Sequence, residues 1–206
     1  MRDPREKERK EMLNRFRWLL LPAGLISLSV GAFVFMGATN GDDAEVHCVG
    51  HLENIPGEKA SVLTERGCYD SFGEAVSVAT NGRVQIPDVK SRPLTEAEVR
   101  SGLDRDMATL IDSTTIIGID WKNSGFGGSS YLWEVSHLPG CADGTGWGSS
   151  GMPSGWSDTV GSAIGYSGCN NYLHWEHTWF TGASLNCYCS SMGVMNDATS
   201  SEQWSQ

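Results

Sequence analysis

Two short runs near the end of this 206-residue chain hold the residue types best suited to chemistry. Asn196-Asp197-Ala198-Thr199-Ser200-Ser201 sets amide, carboxylate and hydroxyl oxygens around one loop, and Ser157-Asp158-Thr159-Val160-Gly161-Ser162 repeats the pattern with fewer donors. These are hard ligands, of the kind calcium takes from side chains and backbone carbonyls. The same residues also close turns by bonding their own backbone, so a purely structural use stands beside the metal one.

Other groupings carry less. His174-Trp175-Glu176-His177 gathers two imidazoles and a carboxylate, but on a strand His174 and Glu176 share a face that His177 does not. The spacing is not that of a His-Glu-x-x-His metal helix, and these residues read as exposed strand polars. A nucleophile needs a base and an orienting group, and no Gly-x-Ser-x-Gly elbow occurs, so no catalytic residue is assigned and the chain reads as a non-enzyme. From Asn123 to Gln206 there is no Lys or Arg, which leaves nothing to neutralise phosphates and excludes nucleic acid as a partner.

The elements that must position the oxygen runs are themselves duplicated. Trp121, Phe126 and Gly128 precede the first run, and Trp175, Phe180 and Gly182 precede the second at the same internal spacing. An aromatic pair at i and i+5 closed by Gly at i+7 suits a strand that folds back on itself, with Gly taking a conformation other residues resist and the rings covering the bend. Trp121 and Trp175 are 54 residues apart, Asp158 and Asp197 only 39, so copy one holds 15 extra residues, placed in the Gly/Ser-rich stretch Pro139 to Gly155 with Cys141 and Trp147. That stretch reads as a long surface loop. Beyond Thr114, with 15 of the 25 glycines and seven of the eight tryptophans, short alternating runs replace helix signals, as all-β structure requires.

Trp121-Lys122-Asn123-Ser124-Gly125-Phe126-Gly127-Gly128 and Trp175-Glu176-His177-Thr178-Trp179-Phe180-Thr181-Gly182, each with its Asp-containing sequel, resemble the two Greek-key motifs of a βγ-crystallin domain of the secreted microbial branch. The resemblance covers residues 115–205. It implies a mainly β chain in which two four-stranded Greek keys pair into one sandwich, with calcium sites at one end built by loops of both copies. Asn196, Asp197, Ser200 and Ser201 match the family's ligand run at every position. In copy one Ser157, Asp158 and Ser162 are retained, but Ser157 replaces the first Asn/Asp and Gly161 replaces a ligating hydroxyl. The depleted ligand set implies weak binding, in the range of about 10⁻⁴ to 10⁻³ M known for extracellular modules.

The rest of the chain sets the compartment. A basic flank of net charge +3 over the first 17 residues leads into Trp18 to Met36, which is uncharged and apolar, so residues 1–38 read as a signal sequence or signal anchor that meets the membrane. Residues 18–206 carry net charge −13 and all six cysteines, as expected of an exported chain in an oxidising compartment, secreted or held at the outer face of the cytoplasmic membrane. Cys48 is expected to pair with Cys68. Cys187 and Cys189 stand two apart, too far along an extended strand for a direct bridge, so each is expected to pair with one of Cys141 and Cys169.

Residues 45–113 read as a small α+β lead-in. Strands are expected over Glu45 to Leu52 and Lys59 to Thr64, and helices behind the capping patterns Ser71-Phe72-Gly73-Glu74 and Thr95-Glu96-Ala97-Glu98. The sequence thus describes an exported calcium-binding protein with a structural or stress role. The alternative that the resemblance implies is a secreted peptidase inhibitor or toxin-like effector that meets an extracellular protein through the 139–155 loop, which bears Trp147 and has Trp156 beside it.

Overall fold

The computed structural model describes residues 44–87, 89–101 and 113–206, so the apolar segment Trp18 to Met36 and the residues that would continue the second expected helix beyond 101 lie outside the described residues. Among the described residues nine strands make two sheets. The first has the order β2-β1-β4-β3-β6 and the second β5-β9-β7-β8, with β1 His47–Glu53, β2 Val62–Tyr69, β3 Thr115–Asn123, β4 Gly127–Val135, β5 Trp147–Ser149, β6 Ser162–Gly165, β7 Asn171–His177, β8 Thr181–Asn186 and β9 Ser201–Ser205. The chain is mainly β, and no helix among the described residues is long and apolar enough to cross a membrane.

Each copy of the repeated motif traces a Greek key. Its first two strands form a hairpin (β3 with β4, β7 with β8), its last strand returns beside the first (β6 beside β3, β9 beside β7), and its third segment crosses to the other sheet. For copy one that segment is β5, which pairs with β9; for copy two it is the Cys189 bridge to Ala163 of β6. The exchange of third segments makes the two copies one body. The 139–155 stretch therefore contains a strand of the second sheet rather than being loop throughout.

The backbone repeats the exchange atom by atom. Asp158 N–H donates to the Thr199 carbonyl at 2.9 Å and Asp197 N–H to that of Val160 at 3.1 Å. Gly161 N–H donates to Trp121 O and Ser200 N–H to Trp175 O, both at 2.8 Å. Gly125 and Trp179, the equivalent residues at the hairpin tips, donate across to Ser190 and Ser150. Both have positive φ, 77° and 59°, and so do Gly128 and Gly182 at 76° and 82°, which is where the expected glycines are needed.

The lead-in joins this body through the first sheet. β1 runs parallel to β4 from His47 opposite Ser130 to Leu52 opposite Val135, and β2 closes the edge. Helix α1, Phe72–Ala79, begins at Ser71, whose hydroxyl accepts from Glu74 N–H; the shorter α2, Glu96–Arg100, has a complete capping box between Thr95 and Glu98. Phe72, Val76, Ala79 and Val99 pack with Ile116, Ile119, Trp121, Leu132 and Ile164 on the outer face of the first sheet. The inner face of that sheet meets the second through Ile117, Tyr131, Trp133, Ala163, Tyr172 and Trp204.

The disulfides correct one expectation. Cys48–Cys68 forms between residues that face each other in the β1–β2 register, but the other bridges are Cys141–Cys169 and Cys187–Cys189. The expectation assumed extended backbone at Cys187, where residues two apart would be roughly 7 Å distant. The chain instead leaves β8 at Asn186 and bends, bringing the two Cα atoms to 5.1 Å, within bridging range. Cys141 N–H donates to the Ser167 carbonyl, and that contact aligns Cys141 with Cys169 at a Cα separation of 4.8 Å.

Candidate functional site

The oxygen-rich loops meet at one end of the sandwich because each Greek key exchanges backbone bonds with the other. Asp158 and Asp197 sit at the two corners with φ of 56° and 55°, a left-handed conformation that Asp tolerates better than most residues. The repeated Asp thus has a backbone reason before any ligand is considered. Both aspartates are exposed.

One corner draws donors from both copies. Ser200 of copy two faces copy one: its hydroxyl donates to Asp158 Oδ1 at 3.2 Å and lies 3.3 Å from the Ser157 hydroxyl. At the equivalent corner Asp197 Oδ2 accepts from its neighbour Asn196 Nδ2 at 2.6 Å, and Gly161 stands where Ser200 stands opposite. The ligand run that looks whole in sequence is therefore split, with its hydroxyl serving the corner of the run that looks defective.

Ser162 and Ser201, also expected among the ligands, are placed in the hairpin folds. The Ser162 hydroxyl donates to Asn123 O and accepts from Phe126 N–H; the Ser201 hydroxyl donates to His177 O and accepts from Phe180 N–H. Both are fully buried and pin the fold-back that the aromatic and glycine residues form.

Ser157, Asp158 and Ser200 fit calcium by donor chemistry: one carboxylate and two hydroxyls, with the Ser200 oxygen 3.2 Å from Asp158 Oδ1 and 3.3 Å from the Ser157 hydroxyl. Oxygens sharing an ion at about 2.4 Å are spaced at roughly 3.4 Å, so a small shift would seat one. Gly161 explains why the other corner lacks its hydroxyl. A Cβ on Gly161 would lie 2.5 Å from Lys122 O and 2.9 Å from Ser124 N, both backbone atoms that cannot swing aside.

A second cluster lies between the sheets, where the sequence pattern indicates none. Asp120 of β3, His174 of β7 and Glu202 of β9 are fully buried, with ligand-type atoms within 4.8 Å of one another, a grouping that could hold a metal ion. Trp133 Nε1–H donates to Asp120 Oδ2 at 2.7 Å, and the Tyr172 hydroxyl is 2.8 Å from Asp120 Oδ1 and 3.0 Å from Glu202 Oε2. Burial, and then the negative charge of Asp120, push the Glu202 carboxyl well above its ordinary range. Burial first, with the same two carboxylates, also raises the Tyr172 hydroxyl.

His174 is thus no exposed strand polar. It alternates inward with Tyr172 on β7, and a register shift between Trp175 and His177 breaks the alternation, so Glu176 turns outward and accepts from Ala183 N–H instead. A signal for it was present: His174 precedes Trp175 as Asp120 precedes Trp121, so the duplication itself makes the two residues equivalent.

The tryptophans offered as partner anchors, Trp147 and Trp156, are both buried, Trp156 edge-on to Tyr131. The reading of 139–155 as an inhibitory surface loses its anchors. Three disulfides and no free cysteine among the described residues accord with an oxidising environment.

No protein-family model and no curated protein matches the chain. Among solved structures the chain is similar to a βγ-crystallin from an archaeon, at 16% identity and a TM-score of 0.30, over 43% of this chain and 96% of that one. The paired Greek keys with exchanged third segments make residues 115–205 consistent with a βγ-crystallin-like domain.

Proposed function

We propose that this is an exported, non-enzymatic calcium-binding protein whose ion sits at the Ser157, Asp158 and Ser200 corner. The convergence of one carboxylate and two hydroxyls from both copies supports it. Calcium there would join two Greek keys at the point where their backbones already exchange hydrogen bonds, and an ion bound only to the folded state adds stability. At roughly 100-fold over the dissociation constant that gain is about 2.7 kcal/mol. The three bridges and the acidic surface support a location outside the cytoplasm.

A single strong carboxylate at the corner implies weak affinity, with a dissociation constant of about 10⁻⁴ to 10⁻³ M. Calorimetric titration of the chelator-treated protein should give saturable heat in that range and a rising melting temperature. Absence of heat up to about ten millimolar calcium, well above that range, would remove the reading.

A further inference from the structure

The buried cluster of Asp120, His174 and Glu202 poses an electrostatic problem that the loops do not. Each member has a polar neighbour besides the other two, and the Tyr172 hydroxyl is shared between Asp120 and Glu202. Trp133 Nε1–H holds Asp120 Oδ2, the Tyr172 hydroxyl reaches Glu202 Oε2, and His174 Nδ1 lies 3.2 Å from the Tyr172 carbonyl. A carbonyl only accepts, so Nδ1 carries the proton in that contact, and Nε2 is the nitrogen that can offer a lone pair to an ion. That leaves Oδ1, Oε1 and Nε2 converging, with Nε2 at 3.3 Å from Asp120 Oδ1 and 3.4 Å from Glu202 Oε1. Glu202 Oε1 is fully buried and has no hydrogen-bond partner.

We propose that Asp120, His174 and Glu202 form a transition-metal site, taking a zinc-sized divalent cation that staples the two sheets across the core. Ligands on a tetrahedral ion with bonds of about 2.0–2.1 Å are spaced about 3.3–3.4 Å apart, which matches both contacts of Nε2. The anchors act as the outer partners that such ligands use, a backbone carbonyl on imidazole and N–H or O–H groups on carboxylates. Calcium is the wrong ion here, because it seeks six to eight oxygens and this site offers imidazole and two carboxylates. The Tyr172 hydroxyl, 2.8 Å from Asp120 Oδ1, borders the remaining corner. Since β3 belongs to copy one, and β7 and β9 to copy two, the ion would tie together the two halves of the repeat.

The test uses the full chain, denatured with chelator while its disulfides stay intact, then refolded with excess Zn²⁺ or Co²⁺ and dialysed. Metal analysis should find one zinc per chain, and cobalt should show the intense visible bands of a tetrahedral site. Glu202→Gln keeps the shape of the side chain and should lose zinc affinity at least about 10-fold, as should Trp133→Phe through the lost anchor on Asp120. Asp158→Ala, in the surface loop, should retain the zinc, which separates this site from the calcium corner. Wild-type protein that refolds to its native circular dichroism without retaining metal would overturn the proposal, as would equal retention by Glu202→Gln. The first result would mean that a protonated His174 bridges the carboxylates instead.

Discussion

The two Greek keys share a backbone plan but live in different surroundings. In copy one β4 is buried along six of its nine residues, because β1 pairs along its free side and α1 packs over the outer face that carries Leu132. In copy two β8 is exposed at five of its six residues, and among the described residues it pairs only with β7. The fold of the motif comes from its own fold-back, which is the same in both, while its exposure comes from what the lead-in covers. Glu134 shows the join: this fully buried β4 carboxylate accepts from Arg66 of β2 at 2.9 Å and meets His51 of β1 at 3.0 Å.

The largest expected contrast is at the repeated tryptophan. Trp121 is fully buried under the lead-in and its equivalent Trp175 is half-buried. Trp121→Ala should cost about 3–5 kcal/mol in denaturant unfolding. Trp175→Ala should cost less, in proportion to the smaller area it hides. Equal costs would show that the lead-in contributes little.

Next comes Gly161. Restoring the missing hydroxyl with Gly161→Ser should not repair the second corner but destabilise the protein by about 1–3 kcal/mol, since the new Cβ meets backbone at 2.5 Å. A stable Gly161→Ser protein with tighter calcium binding would mean that the hairpin at Lys122 to Ser124 yields more easily than its hydrogen bonds suggest.

The smallest effect lies in the cover itself. The Arg92 side-chain hydrogen bond, with the Thr95 N–H and hydroxyl, holds the Glu98 carboxyl down at about 2 against its ordinary 4.5. A depressed carboxylate contributes stability that is present above its unfolded value and lost as pH falls. The advantage of wild type over Glu98→Gln should therefore fade between pH 4.5 and 2. It should be small, because the pair is partly exposed to solvent that screens it. Melting temperatures of both proteins across that interval would show it, and a constant gap would assign the effect to packing.

The repeat was the most legible part of the chain, since Phe126, Gly128, Phe180 and Gly182 are at the fold-backs their spacing implies. Cys187 was misread because a local bend, which no periodicity announces, shortens the distance to Cys189. At the ligand corner the residue types gave the oxygens and the resemblance gave loops of both copies, while the particular meeting of Ser200 with Asp158 depends on a backbone exchange that no spacing announces. The buried cluster was invisible to motif spacing, because Asp120, His174 and Glu202 come from three strands and meet only after the sheets close. The lead-in's helices were announced by their caps, whereas the parallel pairing of β1 with β4 depends on contacts 83 residues apart.

The sharpest measurement compares calcium titrations of Asp158→Ala and Asp197→Ala under identical conditions. Asp158→Ala should abolish the binding heat and the calcium-dependent rise in melting temperature, whereas Asp197→Ala should keep both. Loss of binding in Asp197→Ala with retention in Asp158→Ala would contradict this expectation and place the ion at the corner that Gly161 leaves without a hydroxyl.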